Sequence, residues 1–291
     1  MAEHVHDAAV LRAHALLAAN RPEEALRELA VLPASDATAA FAFELRAAAL
    51  LQLERWPEAA DAARQGLAAG GPDPDLLCQL GIAEIQLGRD ESAERALLDG
   101  LAIAPDDVDL LCAYARLCIK HRQLDKARKL VELAAQQAPD APTVYSARVH
   151  LAYADGDDAR AQRIARQFVA AHPENAHAHA LLGGMSAARG QVTSAYAGMR
   201  QAVANEPSDR DFAQAAYETR IETHPLMLPV RPFVRFGPLK TWIVAIVIIY
   251  GLRMAGLPGL SAVFALCWLV LCVYSWVVPP LVRRWMMRRW R

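Results

Sequence analysis

Four prolines, Pro105, Pro139, Pro173 and Pro207, stand 34 residues apart. Proline makes up 17 of the 291 residues, so three further hits at one fixed interval would arise by chance only about twice in ten thousand. A second register keeps step with the first: Ala25, Ala59, Ala93, Ala127, Ala161 and Ala195 are also 34 apart. Both follow if one structural unit is copied about six times. A unit of this length is a helix–turn–helix that cannot bury its apolar face alone, so neighbouring units must stack. The expected fold is all-α, a right-handed superhelical solenoid of about six units, which offers an extended binding surface rather than a catalytic pocket.

Residues 74–107 form the clearest copy. Asp73 or Asp75 can cap a helix and Pro74 suits its first turn. Leu77, Leu80, Gly81, Ile85 and Leu87 give an apolar stripe, and Gly88 suits the left-handed conformation that ends a helix. A second helix is expected from Asp90 to Ile103, with Ala93, Leu97 and Gly100 on one face, before Pro105 closes the unit. Each helix is short, so its stability must come from its neighbours.

These residues resemble the tetratricopeptide repeat family. The third unit carries the pattern in Leu77, Leu80, Gly81, Gly88, Ala93, Leu97, Gly100 and Pro105. The fourth carries it in Leu111, Tyr114, Ala115, Ala127, Val131, Ala134 and Pro139, and the sixth in Leu182, Gly183, Gly190, Ala195, Met199, Ala202 and Pro207. The fifth keeps Tyr145, Gly156, Ala161, Phe168 and Pro173 but has Arg148 where the family has Leu. Units one and two retain Ala13 with Ala25 and Ala47 with Ala59, with Arg12 and Arg46 at the Leu position and no closing proline. The expected units are 6–39, 40–73, 74–107, 108–141, 142–175 and 176–209. A capping helix over 209–223 offers Phe212 and Tyr217 to cover the open end.

The resemblance implies a concave groove, lined by the first helix of each unit, that binds a protein or peptide. The Lys/Asn clamp by which some members hold a C-terminal carboxylate is missing: Cys78, Cys112 and Ser146, then Ile82, Arg116 and His150, occupy those places. The polar row that remains is Gln79, Gln86, Arg116, Lys120, His150 and Tyr153. Arg116 and Lys120, four apart, share a helical face and can meet a carboxylate of a partner, or pair with Asp109, Asp125 or solvent. His172, His177 and His179 lack metal-site spacing, and Gly183-Gly184 reads as close helix packing. No catalytic motif or cofactor-binding loop is present, so neither an enzyme nor a bound cofactor or metal is expected.

Residues 224–291 hold nine basic and no acidic residues, leaving 22 basic against 32 acidic residues, a net of −10, in residues 1–223. That acidic body argues against nucleic acid as a partner. Five scattered cysteines without C-x-x-C spacing suggest a reduced compartment, and no secretory signal is visible at the N-terminus. Residues 224–237 are proline-rich and read as a linker. Two apolar runs follow, 238–257 and 260–281, each about 30 Å as a helix and therefore long enough to cross a bilayer as a hairpin. Arg253 at the end of the first run can reach headgroups. The tail 283–291 adds Arg283, Arg284, Trp285, Arg288, Arg289, Trp290 and Arg291, an interfacial Arg/Trp cluster suited to anionic lipid. The positive-inside rule places linker, repeats and C-terminus in the cytoplasm, and the Ala/Arg-rich composition points to a bacterial inner membrane. The expected function is a membrane-anchored scaffold. The competing expectation is an accessory subunit of a secretion, envelope-assembly or transport complex, its hairpin packed on other membrane helices through Gly251, Gly256 and Ser261.

Overall fold

The computed structural model describes residues 2–32, 39–230 and 238–288. Among the described residues the chain forms fifteen α-helices and one 3-10 helix, and no strand. It divides into two compact units, residues 1–155 and 156–291. The division falls inside the fifth repeat, whereas the change in composition comes at residue 224.

The first unit runs α1 (Ala2–Ala18), α2 (Pro22–Ala30), α3 (Ala40–Gln52), α4 (Trp56–Gly70), α5 (Pro74–Gln86), α6 (Asp90–Ile103), α7 (Val108–Lys120), α8 (Leu124–Gln137) and α9 (Pro142–Ala154). The second contains α10 (Asp158–Ala171), α11 (Ala176–Ala188), α12 (Val192–Asn205), α13 (Arg210–Thr223), a 3-10 segment (Pro225–Val230), α14 (Pro238–Met254) and α15 (Pro258–Arg288).

The 34-residue interval reappears in the backbone. Asn20, Glu54, Gly88, Arg122, Gly156 and Gly190 all have positive φ, between 53° and 82°, and each follows the first helix of a pair. Where the bonds are described, two amides close the helix. Gly88 N–H donates to Ile85 O at 3.1 Å and Arg89 N–H to Glu84 O at 2.9 Å, as Arg122 and Gln123 do to Ile119 and Cys118. Such a left-handed cap satisfies carbonyls that a helix end otherwise leaves free. The next helix start is fixed in the same rhythm: Asp73, Asp107, Asn175 and Asp209 accept from Leu76, Leu110, Ala178 and Phe212 N–H at 2.8–2.9 Å.

The alanine register supplies the core. Ala25, Ala59, Ala93, Ala127, Ala161 and Ala195 are each 0% exposed, because a second helix can approach its neighbours closely only where the side chain is small. The register of Gly100, Ala134 and Ala202 is likewise small and buried, yet Phe168 occupies it in the fifth repeat and is fully buried. One charge is also buried: Glu84 of α5 is 1% exposed and held by Arg64 of α4, with Arg89 at 3.7 Å.

The apolar C-terminal region differs from expectation in two ways. The first helix is 17 residues long, about 26 Å, and ends at Met254 rather than Leu257. Gly256, with φ 73°, closes it as Leu257 N–H returns to Leu252 O at 3.1 Å, and Pro258 opens the next helix. Among the described residues only Pro258–Val282 is long and apolar enough to cross a membrane. That helix does not stop at Leu281; α15 continues through Pro279 and Pro280 to Arg288. Ala245 and Ser261 are buried between α14 and α15, where Ser261 Oγ donates to Ile249 O at 3.0 Å.

Candidate functional site

Within residues 1–155 the first helices α1, α3, α5, α7 and α9 pack successively against one another, while among the described residues no comparable packing joins the second helices α2, α4, α6 and α8. Spacing is therefore tighter on the side of the first helices, and that side is the inner face of the unit. The six residues expected to line it are placed unequally. Ile82, Arg116 and His150 stand at equivalent positions of α5, α7 and α9. Arg116 is solvent-exposed and makes no hydrogen bond or ion pair with any described residue. Its neighbours still withhold much of bulk water's stabilisation. This desolvation pushes the guanidinium pKa down, against a smaller opposing influence of the nearby Cys78 and Cys112. His150 is half-buried, and Tyr153 is 48% exposed one turn further along α9.

Lys120 is engaged elsewhere. Its Nζ donates to Asp90 Oδ1 at 2.6 Å, and His121 Nε2 lies 3.0 Å from the other oxygen of the same carboxylate. Lys120 thus closes the turn side of its repeat onto α6, and Arg116 remains the free cation of the pair. Gln86 is exposed at the end of α5. Gln79 stands where Ala113 and Ala147 are buried in the next repeats, and its Oε1 is shut off from solvent without a donor among the described residues.

The inner face also carries carboxylates that sequence reasoning did not assign to the groove. Burial raises the pKa of Asp75, and Asp73, Asp107 and Asp109 raise it further; Glu44 is raised by burial, then by Asp75 and Asp73. Asp75 and Asp109 are 34 residues apart, so the repeat register itself marked them as one row. Asp109 precedes Arg116 by two helical turns, a rise of about 10 Å along α7. The thiols between these charges are inert. Burial and then Asp109 push Cys112 up to about 12, and burial with the same carboxylates raises Cys78 further.

At the other end of the chain, Arg253 and Arg284 belong to α14 and α15 and Trp285 is 48% exposed. Arg283 and Arg288 fall within α15. Arg289, Trp290 and Arg291 lie outside the described residues.

A model of the tetratricopeptide repeat family matches residues 99–151, which include Arg116, Lys120 and His150. Among solved structures, a tetratricopeptide repeat protein of Parabacteroides merdae is similar over 74% of this chain and 84% of its own, at 17% identity and a TM-score of 0.61. The fold is that of a tetratricopeptide repeat array. A thermophilic TPR protein of Thermus thermophilus agrees over 60% of this chain and 95% of its own, at 18% identity and a TM-score of 0.55. PilW, a type IV pilus biogenesis factor, agrees over 72% and 97%, at 17% identity and a TM-score of 0.52. Comparison with curated proteins gave no match. At these identities the likeness establishes the repeat fold alone, and leaves the ligand open.

Proposed function

We propose that this chain is a scaffold that binds a protein or peptide segment along the inner face of α3, α5, α7 and α9, and that α15 holds it at a membrane. Arg116 carries the binding reading. It is an exposed cation, free of any carboxylate among the described residues, on the same helix as Asp109, one of a row of mutually repelling acids. A segment with a carboxylate for Arg116 and a basic group for Asp75 and Asp109 would pair the cation and relieve the repulsion at once. The membrane reading rests on Pro258–Val282, whose Val263, Leu266, Leu269, Val270, Val273 and Trp276 stay exposed among the described residues. The basic residues flanking the apolar helices put the repeats and the C-terminus on the cytoplasmic side, and composition suggests a bacterial inner membrane. Confinement to the membrane plane would raise the local concentration of the bound partner.

Photo-crosslinking of the full chain in membranes, followed by recovery of the crosslinked proteins, tests the groove. Arg116→Glu is expected to lower capture of the specific partner by about 10- to 100-fold, the usual loss when a charged contact is removed. Lys120→Glu, whose charge already serves Asp90, should leave that partner bound. Unchanged capture by Arg116→Glu refutes the assignment.

A second reading has one observation in its favour. Gly251 of α14 faces open space, and α14 is shorter than a bilayer core, so another membrane helix could pack there. Replacing residues 238–288 by an unrelated anchor separates the two: a tethered scaffold keeps its activity, and a packed subunit of a larger membrane complex loses it.

A further inference from the structure

Residues 224–230 are not a bare linker. The carbonyl of Leu226 accepts a hydrogen bond from Tyr274 Oη of α15 at 2.8 Å, and the Leu226 N–H donates to His224 Nδ1 at 3.3 Å. The His224 ring meets the edge of Trp285, also of α15, with centroids 5.9 Å apart. Two side chains of one helix thus hold the start of the Pro225–Val230 segment, at His224 and Leu226, and both backbone polar groups of Leu226 carry a partner. Leu226 and Leu228 nevertheless stay 49% and 53% exposed.

The level of this bracket follows from the helix rise. With the apolar stretch Pro258–Val282 centred on a bilayer, Tyr274 lies about 6 Å and Trp285 about 22 Å from the midplane on the same side. The hydrocarbon boundary lies about 15 Å from it. Leu226 and His224, held at these two levels, therefore lie about that boundary. Backbone that leaves regular helix at this depth has little water to satisfy it, so its N–H and C=O groups need protein partners. Leu226 has both.

We infer that Pro225–Val230 is an interfacial wedge, docked on α15 through Tyr274 and Trp285, which inserts Leu226 and Leu228 among the acyl chains of the leaflet next to the repeats. The lipid surface is its partner, because Leu226 and Leu228 are exposed on a segment bonded to α15, whose own apolar residues are exposed too. The wedge holds the end of α13 against the membrane, so the repeats of the second unit stand at a fixed height instead of swinging on a loose tether. The inference rests on the reading that α15 spans a bilayer.

The test uses the full chain in vesicles of phosphatidylcholine and phosphatidylglycerol, with an environment-sensitive fluorescent amino acid at one position at a time. At Leu228 the fluorophore is expected to be quenched by lipids bearing a nitroxide high on the acyl chain and shielded from iodide. At Leu269 it should be quenched by a nitroxide deep in the chain, and at Asp99 by iodide alone. Lipid quenching at Leu269 with only iodide quenching at Leu228 overturns the wedge. Absence of lipid quenching at Leu269 overturns the spanning helix on which it rests. Tyr274→Phe should increase iodide access at Leu228 by about 2- to 10-fold, the population change that one lost hydrogen bond produces; unchanged access removes Tyr274 as the anchor.

Discussion

Gly198 and Gly184 predict opposite outcomes for the same chemical change. A Cβ added to Gly198 of α12 would stand 2.8 Å from Gly183 Cα, 2.8 Å from His179 O and 2.9 Å from Gly183 N. Carbon atoms in comfortable contact are about 3.5–4.0 Å apart, so the methyl group is short of room by roughly 0.7–1 Å. All three obstacles are backbone atoms of α11, which cannot rotate aside as a leucine side chain could. The helices must separate, at a cost of about 1–3 kcal/mol for such overpacking. The better helix propensity of alanine returns about 1 kcal/mol, leaving Gly198→Ala destabilised by up to about 2 kcal/mol. Gly184 sits one residue beyond Gly183 on α11, with nothing within 4 Å of its added Cβ. Gly184→Ala should therefore gain about 0.5–1 kcal/mol. Hydrogen exchange of α11 and α12 in the full-length protein reads the local opening free energy. A separation of about 0.5–3 kcal/mol means roughly a 2- to 150-fold difference in protection between the two variants. Equal shifts, or higher protection in Gly198→Ala, would refute the close backbone approach as the reason for glycine there.

Two further predictions concern the first unit. Glu54 adopts φ 56° at the position that Gly88, Gly156 and Gly190 fill in other repeats. A left-handed conformation costs an L-residue about 1–2 kcal/mol, partly offset by the greater unfolded-state freedom of glycine. Glu54→Gly should therefore stabilise residues 1–155 by about 0.5–1 kcal/mol and raise the melting temperature; a fall would show that the Glu54 side chain matters more than its backbone. The raised carboxyls of Asp75 and Glu44 set a pH dependence. A folded-state pKa above the unfolded one means that the folded state binds the proton more tightly. The resulting stabilisation is complete below the unfolded pKa and is lost as pH rises through the folded one. Above their raised folded-state pKa values both groups are charged and repel, so Asp75→Asn should raise thermal stability at pH 7 and flatten the gain expected on acidification. A lower melting temperature at pH 7 would contradict the repulsion.

Much of the repeat architecture was legible because it rests on local, repeated demands. Asp73 and Gly88 were readable as a cap and a helix stop, since each acts within a few residues of its own position. The alanine register was readable because every second helix faces the same crowding. The candidate site was less legible. Arg116 and Lys120 look alike on their helix face, and only the arrival of Asp90, 30 residues away, removes Lys120 from the pair. Gln79 reads as a groove residue by polarity, although its repeat equivalents Ala113 and Ala147 are buried. Asp75 and Asp109 could have been found, had the 34-residue register been applied to charge as well as to packing.

The sequence by itself determined that this is an array of 34-residue helical pairs followed by a basic, apolar region, because turn chemistry and close packing repeat with the chain. Tertiary structure decided what neighbours distant in sequence impose. It placed a full phenylalanine, Phe168, in a register of small residues, and it ended the first apolar helix three residues early at a left-handed glycine cap. It also folded the proline-rich segment against Tyr274, 48 residues away. Those outcomes depend on partners brought together by folding, and no periodicity in the chain encodes them.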